Sequence, residues 1–558
     1  MRLSSDEDRD EERTLETIAA AVEAGITIFD TARSYGRGAD ELGHNEPLLA
    51  RALSGTPARV VTKGGMARTG EAWLPDGRAR TIRADCEASL EVLDGLPIDL
   101  YLAHAPDPRT PWRTTVRALA RLVDDGLVER VGVCNVTRGQ LDDALELAPI
   151  AAVQVALSPF DDRALRGGVV ERCDELGIAL VAHSPLGGPR RAARLARREE
   201  LARVAAAHEA TGAEVALAWL LDLSPVVVAI PGARRPETAR SSARAAALEL
   251  DPAERELLAR ELGGMRPATA PRRARREGEV VVVMGIPGAG KTLVAQRYAG
   301  GGHERLNRDE LGGSLREIAA ALDDVLASGT ARVVLDNTYL TRAARSHVIE
   351  IAGRHGLPTR CVWLDTPLPQ AQANMVERIL DRLGSLPTPE ELKQAARREP
   401  GLHTPTTQMR TLRELEPPEP DEGFSEVERV TFERAPAAGI PGVFVAAAAL
   451  TSRGWERAVA EVDPAAPHLV FDWKPDGATD ELDPAADVLA KVVSGPVERA
   501  LCPHPGGPPI CWCRPPLPGL LLAFARGHGI DPSRSTLVGT STVHRTLATT
   551  LGARFVTV

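Results

Sequence analysis

Aromatic side chains are scarce, at 3% of the 558 residues, so the cores must be filled mostly by Ala, Val, Leu and Ile. No apolar run approaches the roughly 20 residues needed to span a bilayer, so no membrane partner is expected. The opening residues, MRLSSDEDRDEE, are polar and acidic and read as neither a signal peptide nor a transit peptide, which predicts a cytoplasmic protein. Basic charge is not in excess. The net charge of −10 disfavours a broad nucleic-acid-binding surface and still leaves room for a local basic groove. Cysteine is too sparse for a disulfide framework. Of the seven, Cys86, Cys134, Cys173 and Cys361 are scattered, while Cys502, Cys511 and Cys513 cluster and suggest a metal site. There is no internal repeat, and only the Pro-rich stretch near 503–518 approaches low complexity.

What is present is enough apolar content, 43%, for several cores. At about 150 residues per domain the length suggests three or four domains, or one large barrel and two smaller units. Residues 14–262 alternate helical patterns with short runs such as ITIFD, RVVTK, DLYLAH, RVGVCN, AAVQVAL, IALVAHS and VVVAIPG. That alternation predicts βα units around a parallel sheet, one strand short of a (β/α)₈ barrel. The segment 265–278, rich in Pro, Arg and small residues, reads as a basic linker. A second βα series opens at VVVVMG (280–285) and continues through RVVLDNT and RCVWLDT. A third stretch carries the strand-like runs VFVAAAAL, HLVFDW and STLVGTS. The expected fold is therefore α/β and multidomain, with a barrel over 1–264, a P-loop domain over 279–435 and a further α/β domain over 436–558.

GIPGAGKT at 285–292 is a G-x-x-x-x-G-K-T motif after a valine strand and before a helical run. Gly285, Gly288 and Gly290 let backbone N–H groups approach phosphate oxygens, and the following helix N-terminus adds a favourable dipole. In such a loop Lys291 reaches the β- and γ-phosphates of ATP and Thr292 ligates Mg²⁺. Further on, Asp309 in LNRDEL is placed to take a proton from an acceptor hydroxyl. Asp336 ends another hydrophobic strand, where a helix cap or an outer contact to Mg²⁺ is the plainer alternative.

These runs resemble the kinase domain of polynucleotide 5′-kinases, over about 278–435. The resemblance implies that Asp309 is the general base and that Asp336, Asn337 and Thr338 form an acceptor- and metal-side element. It also implies that Arg378 and Arg382 are lid arginines and that LEPPEPDEGFSEV leads into a last strand. A nucleic-acid 5′-OH end is then the expected acceptor. Small-molecule kinases share the P-loop and a similarly placed aspartate.

In the first stretch Asp30, Lys63 and His104 end three of the strand-like runs, and Tyr35 lies five residues beyond Asp30. In a barrel such positions line the active site. A lysine beside a tyrosine lowers the phenol's pKa, an aspartate holds the lysine, and the set can protonate a carbonyl oxygen as hydride arrives from a nicotinamide. A single histidine at a strand end is more often a satisfied structural group; the four together are what matter. Their order resembles the aldo-keto reductase family. The resemblance implies an acid role for Tyr35 and a small-molecule carbonyl substrate. It implies Asn135 and Gln154 on the nicotinamide amide, and Arg234 and Arg240 on the adenosine phosphate of NADP(H). Three positions depart from the family: the chain begins where the first strand should be ending, His183 replaces a stacking tyrosine, and Ser241 and Ser242 replace a Glu-Asn pair. A barrel kept as scaffold or sensor is the alternative.

Cys502, His504, Cys511 and Cys513 form C-x-H…C-x-C, a set suited to tetrahedral Zn²⁺. The pattern resembles haloacid-dehalogenase phosphatases that carry such a zinc loop. Pro515, Thr540 and His544 stand where that family has a lysine and two acids, and VFVAAAAL lacks its D-x-D pair. The resemblance implies a degenerate, inactive phosphatase-like domain with structural Zn²⁺.

The expected function is ATP-dependent phosphoryl transfer to a hydroxyl, joined to an aldo-keto-reductase-like barrel. Three rivals stay open: a small-molecule kinase coupled to carbonyl reduction, a reductase with a regulatory nucleotide domain, and a nucleotide-sensing scaffold without turnover. Salt-insensitive acceptor binding, NADPH consumption lost in Tyr35→Phe, and bound nucleotide recovered unchanged would separate them. RNA or DNA as acceptor, and the oligomeric state, are left open.

Overall fold

Runs of β-branched residues form parallel strands throughout the computed structural model. It describes Ser4 and residues 9–262, 277–431 and 438–558, apart from residues 70, 71, 94, 196, 197, 476 and 508. Most of the expected linker 265–278 lies outside the described residues. Among them no helix is long and apolar enough to cross a membrane. The chain divides into two units, Met1–Thr269 and Ala270–Val558.

The first unit holds a seven-stranded sheet whose spatial order follows the sequence: Ile28–Asp30, Arg59–Gly64, Ile98–Ala103, Val131–Cys134, Ile150–Ala156, Ala179–His183 and Val227–Ile230. All neighbours are parallel. Side chains alternate across it. Val61, Leu100, Leu102, Cys134 and Ala152 fill one face, and Val60, Tyr101, Val133, Val153 and Leu180 join the larger core on the other. First and last strands are not paired, yet the helix Glu11–Glu23 packs on the helix Pro236–Ala245, so the outer layer closes where the sheet does not. Arg240 donates to Glu23 across that seam at 3.2 Å. Reciprocal caps start several helices, among them Thr137 with Gln140 and Thr211 with Glu214. An antiparallel hairpin, Met66–Thr69 with Ala72–Pro75, rises beyond the second strand.

The second unit contains two five-stranded parallel sheets. The first runs in the order Glu304–Leu306, Arg332–Asp336, Glu279–Met284, Thr359–Leu364, Glu426–Val430. Its middle strand is a continuous valine run because both faces are covered, and Val280 to Val283 are each 0% exposed. The second runs Val497–Cys502, His468–Trp473, Val443–Ala446, Thr536–Gly539, Arg554–Thr557. In both, the strand that comes first in sequence lies at the centre, so chain direction reverses beside it. Ligands of open α/β sheets bind at such a switch point, beyond the carboxyl ends.

The two sheets share a core. The helix Leu368–Leu383 sends Met375, Val376, Ile379 and Leu380 among Phe444, Phe471, Leu521 and Phe524 of the second sheet's layer. At about 1.5–3 kcal/mol for each fully buried apolar side chain, this contact is a large part of the unit's stability. The last sheet therefore packs on the P-loop domain's own helix through apolar side chains.

Candidate functional site

At the carboxyl edge of the barrel, Lys63 has a fully buried side chain. Its ammonium donates to Asp30 Oδ2 at 2.7 Å and to the Thr31 carbonyl at 2.7 Å, and approaches Tyr35 Oη at 3.5 Å. Gln154 Nε2 donates to the other oxygen of Asp30 at 2.8 Å. The rings of Tyr35 and His104 meet edge-on, with centroids 5.9 Å apart. His104 Nδ1 lies 3.3 Å from Ser34 Oγ. Asn135, held at a positive φ of 56°, donates to the His104 carbonyl at 3.1 Å and lies 3.0 Å from His183 Nε2. Asp30, Tyr35, Lys63, His104, Asn135, Gln154 and His183 thus converge.

Electrostatics revise one expectation. Burial would push the Lys63 ammonium down, but Asp30 and Tyr35 beside it hold it above its usual value. Burial raises the Tyr35 phenol, and the lowering by Lys63 only partly offsets this, so the acid is weaker than free tyrosine instead of stronger. Burial and the Lys63 charge push His104 down to about 3, so the ring is neutral at ordinary pH. Arg234 and Arg240 lie past the last strand, on the loop and helix there. Both are exposed, and Arg240 is engaged with Glu23. Ser241 donates to Glu214 at 2.9 Å.

Sequence reasoning missed Ser34 and Trp73. Trp73, on the hairpin, forms an edge-on triangle with Tyr35 and His104, at centroid distances of 6.0 and 6.1 Å, and the Arg68 guanidinium lies over its ring at 4.3 Å. The rarity of tryptophan in a chain so poor in aromatics was the signal that the sequence offered.

In the second unit the P-loop follows the central strand. Gly285, Gly288 and Gly290 adopt φ of 148°, 85° and 96°, and a Cβ on Gly288 would overlap the Ala371 carbonyl. Only glycine fits there. Lys291 folds back onto the Gly285 and Ile286 carbonyls at 3.0 Å each. Burial lowers its pKa to about 8, with Asp336 and Asp309 opposing. Thr292 is half-buried in the first turn of the helix Lys291–Gly300. Asn374, Thr366 and Gln408 donate to the carbonyls of Gly288, Ala289 and Pro287, fixing the loop's shape.

Asp309 is exposed on the short helix Arg308–Leu311, whose cap is Asn307. Asp336 is buried and paired with Arg305 at 2.7 Å and with Asn307 at 2.9 Å, and Asn337 accepts from the Arg308 amide. Arg378 donates to the Gly401 carbonyl at 3.1 Å and Arg382 to that of Pro400 at 2.6 Å. A Cβ on Gly401 would sit 3.3 Å from Arg378, 3.7 Å from Asp309 and 4.0 Å from Arg382, so the three meet at this point. His403 is a further site residue that sequence reasoning passed over. Burial pushes it down to about 4, with Lys291, Asp309, Arg378 and Arg308 all near enough to act on it.

Cys502, His504, Cys511 and Cys513 also converge, with ligand atoms within 4.8 Å of one another. Individual separations are 3.1 Å for His504 Nδ1 to Cys513 Sγ, and 3.3 and 3.7 Å for Cys502 Sγ to Cys513 and Cys511. A tetrahedron with metal–sulfur bonds of about 2.3 Å has edges of about 3.8 Å, so the donor set and its spacing fit Zn²⁺. Thr540 and His544 follow the strand Thr536–Gly539, and the central strand Val443–Ala446 runs on into alanines.

The barrel's tetrad and the glycine-cradled loop define an oxidoreductase followed by a P-loop nucleotide-binding domain. The aldo/keto reductase family matches residues 1–260, and an AAA domain matches 280–400. A probable aldo-keto reductase of Glycine max is 34% identical over 255 residues, covering 40% of this chain and 71% of that protein. An uncharacterized oxidoreductase of Schizosaccharomyces pombe is 30% identical over 248 residues, covering 44% of this chain and 78% of that one. An aldo-keto reductase from Klebsiella pneumoniae, solved with NADPH, is 25% identical, with a TM-score of 0.39, over 45% of this chain and 84% of its own. The chain belongs to the aldo/keto reductase family through its N-terminal unit, and carries a kinase-like P-loop domain after it.

Proposed function

We propose that the chain is a two-headed enzyme, an NADP(H)-dependent carbonyl reductase joined to an ATP-dependent kinase whose acceptor is a polynucleotide 5′-OH end. The observation that carries the kinase reading is the meeting of Asp309, Arg378 and Arg382 around Gly401. A carboxylate that can take a hydroxyl proton stands there beside two guanidiniums that can hold a transferring phosphoryl group. Lys291 holds the β- and γ-phosphates and Thr292 is the Mg²⁺ ligand; Asp336, already paired with Arg305, shapes the acceptor side. Arg308, close enough to act on both Lys291 and His403, adds a further cation to this site, which favours an acceptor that itself carries phosphates.

In the barrel, NADP(H) would lie on Asn135, Gln154, Arg234 and Arg240, and when bound it supplies hydride. Tyr35 gives its proton to the carbonyl oxygen. Lys63, kept charged by Asp30, stabilises the phenolate left behind, and neutral His104 orients the carbonyl. The C-terminal sheet is read as a phosphatase-like fold without its nucleophile, because the central strand ends in Ala446 and Ala447 where the resemblance requires aspartates. Its four-residue cluster holds structural Zn²⁺.

The test is transfer of labelled γ-phosphate from ATP to a 5′-OH oligonucleotide, wild type beside Asp309→Asn. Transfer by the wild type and its loss in the variant are expected. Bound ATP with no transfer to RNA or DNA would sink the polynucleotide acceptor.

A further inference from the structure

Two contacts join the cysteine cluster to the elements that hold the arginine pair, and a third joins the helix that follows the cluster to the same elements. Trp512 stands between Cys511 and Cys513, is 2% exposed, and donates its indole N–H to the His403 carbonyl at 3.0 Å. Leu386, just beyond the helix Leu368–Leu383, packs directly on Cys502, Cys511 and Cys513. Arg526, on the helix Gly519–His528, pairs with Asp381 of the arginine helix at 2.5 Å. From the other side, Arg378 and Arg382 grip the carbonyls of Gly401 and Pro400. One short segment, 400–403, is thus held by both arginines and by the tryptophan between Cys511 and Cys513.

The segment 503–513, which links the cluster's donors, contains no helix or strand among its described residues. The order of such a loop depends on whatever holds its ligands together, and binding free energy at a site of this kind is folding free energy. The arginines meanwhile rest on neutral carbonyls, which fixes their position without cancelling their charge, so an anion can still claim it.

We propose that the metal-loaded cysteine cluster is the latch that positions Arg378 and Arg382, with Trp512 as the positioning residue that transmits it through the His403 carbonyl. The expected occupant is a soft, tetrahedral divalent ion such as Zn²⁺. The consequence for turnover rests on the kinase reading above; the mechanical link does not.

The experiment uses the full chain as purified, after chelation, and after reloading with Zn²⁺. Metal content is measured alongside amide hydrogen exchange of peptides spanning 368–404. Chelation should speed exchange across 399–404 by about tenfold, as expected for loss of a buried hydrogen bond and its support, and reloading should reverse it. Trp512→Phe keeps a ring in place and removes the N–H; it should retain the metal and still show the faster exchange. Where phosphoryl transfer is measurable, that variant should lower kcat and leave the KM for ATP close to wild type. Absence of metal from the native protein, or exchange across 399–404 unmoved by both chelation and Trp512→Phe, would overturn the latch. Failure of the wild type to phosphorylate any acceptor would sink the kinase reading alone, because the exchange arm still decides this one.

Discussion

Lys63 keeps its charge with no exposed surface because Asp30, the Thr31 carbonyl and the Tyr35 hydroxyl surround its three donors. Removing the carboxylate leaves a buried cation without a counter-charge, which costs about 3 kcal/mol or more. Asp30→Asn should therefore lower the stability of the first unit by about that amount, read as a shift in its denaturant midpoint. Tyr35→Phe, which removes a hydroxyl and little else, should leave the midpoint near wild type and cut NADPH-dependent carbonyl reduction by about 10²–10⁴-fold. The pH dependence follows from the directions of two shifts. Tyr35, raised by burial, stays a protonated acid to above its ordinary value, and His104, pushed down to about 3, stays neutral far into acid. The kcat/KM for reduction should accordingly show no titration limb between about pH 5 and pH 9, and a limb near neutrality would assign the proton to another group. At the second site, Asp309→Asn should retain ATP binding and lose transfer by about 10²–10⁴-fold, since an amide cannot accept the hydroxyl proton.

At the scale of the element, the strand–loop–helix of the P-loop is a local structure, and it was open to reading for that reason. Four valines, the glycine spacing and the helix lie within a few residues of one another. Gly288 tests how tightly it is built. Its φ of 85° and the Ala371 carbonyl against it leave no room for a methyl group. Gly288→Ala should cost on the order of 1–3 kcal/mol and abolish ATP binding, measured by calorimetric titration beside thermal melting. The tetrad was equally readable, because a barrel delivers strand ends to one edge whatever their separation in sequence. What could not be read depends on distant pairings or on burial. Ser34 meets His104 across 70 positions, and Trp512 meets the His403 carbonyl across 109. No periodicity records a main-chain acceptor. The net rise of the Tyr35 pKa was hidden for a similar reason: a lysine nearby can be inferred from spacing, but the depth of burial that outweighs it cannot. Arg378 and Arg382 were reachable by resemblance, and the loop that seats them, 400–403, was not.

At the scale of the whole molecule the shared core of the second unit matters most. The helix that presents the arginines has one face toward the P-loop and buries Met375, Val376, Ile379 and Leu380 among side chains of the last sheet. A kinase lid usually needs freedom to open, and motions of that kind set many turnover rates. Here the helix Leu368–Leu383 is anchored to the layer of the last sheet, which restricts that freedom. The anchoring also fixes how the chain should unfold. ATP with Mg²⁺ at about 100 times its Kd should stabilise the unit that binds it by about 2.7 kcal/mol, and NADPH should do the same for the barrel. Because the cysteine cluster packs on Leu386 and Trp512 lies in the shared core, stripping the metal should lower the thermal transition that ATP raises. Calorimetry of the full chain with each nucleotide, before and after chelation, reads this directly. A metal-dependent shift confined to the transition that NADPH raises would place the anchor elsewhere and leave the shared core without a role in nucleotide binding.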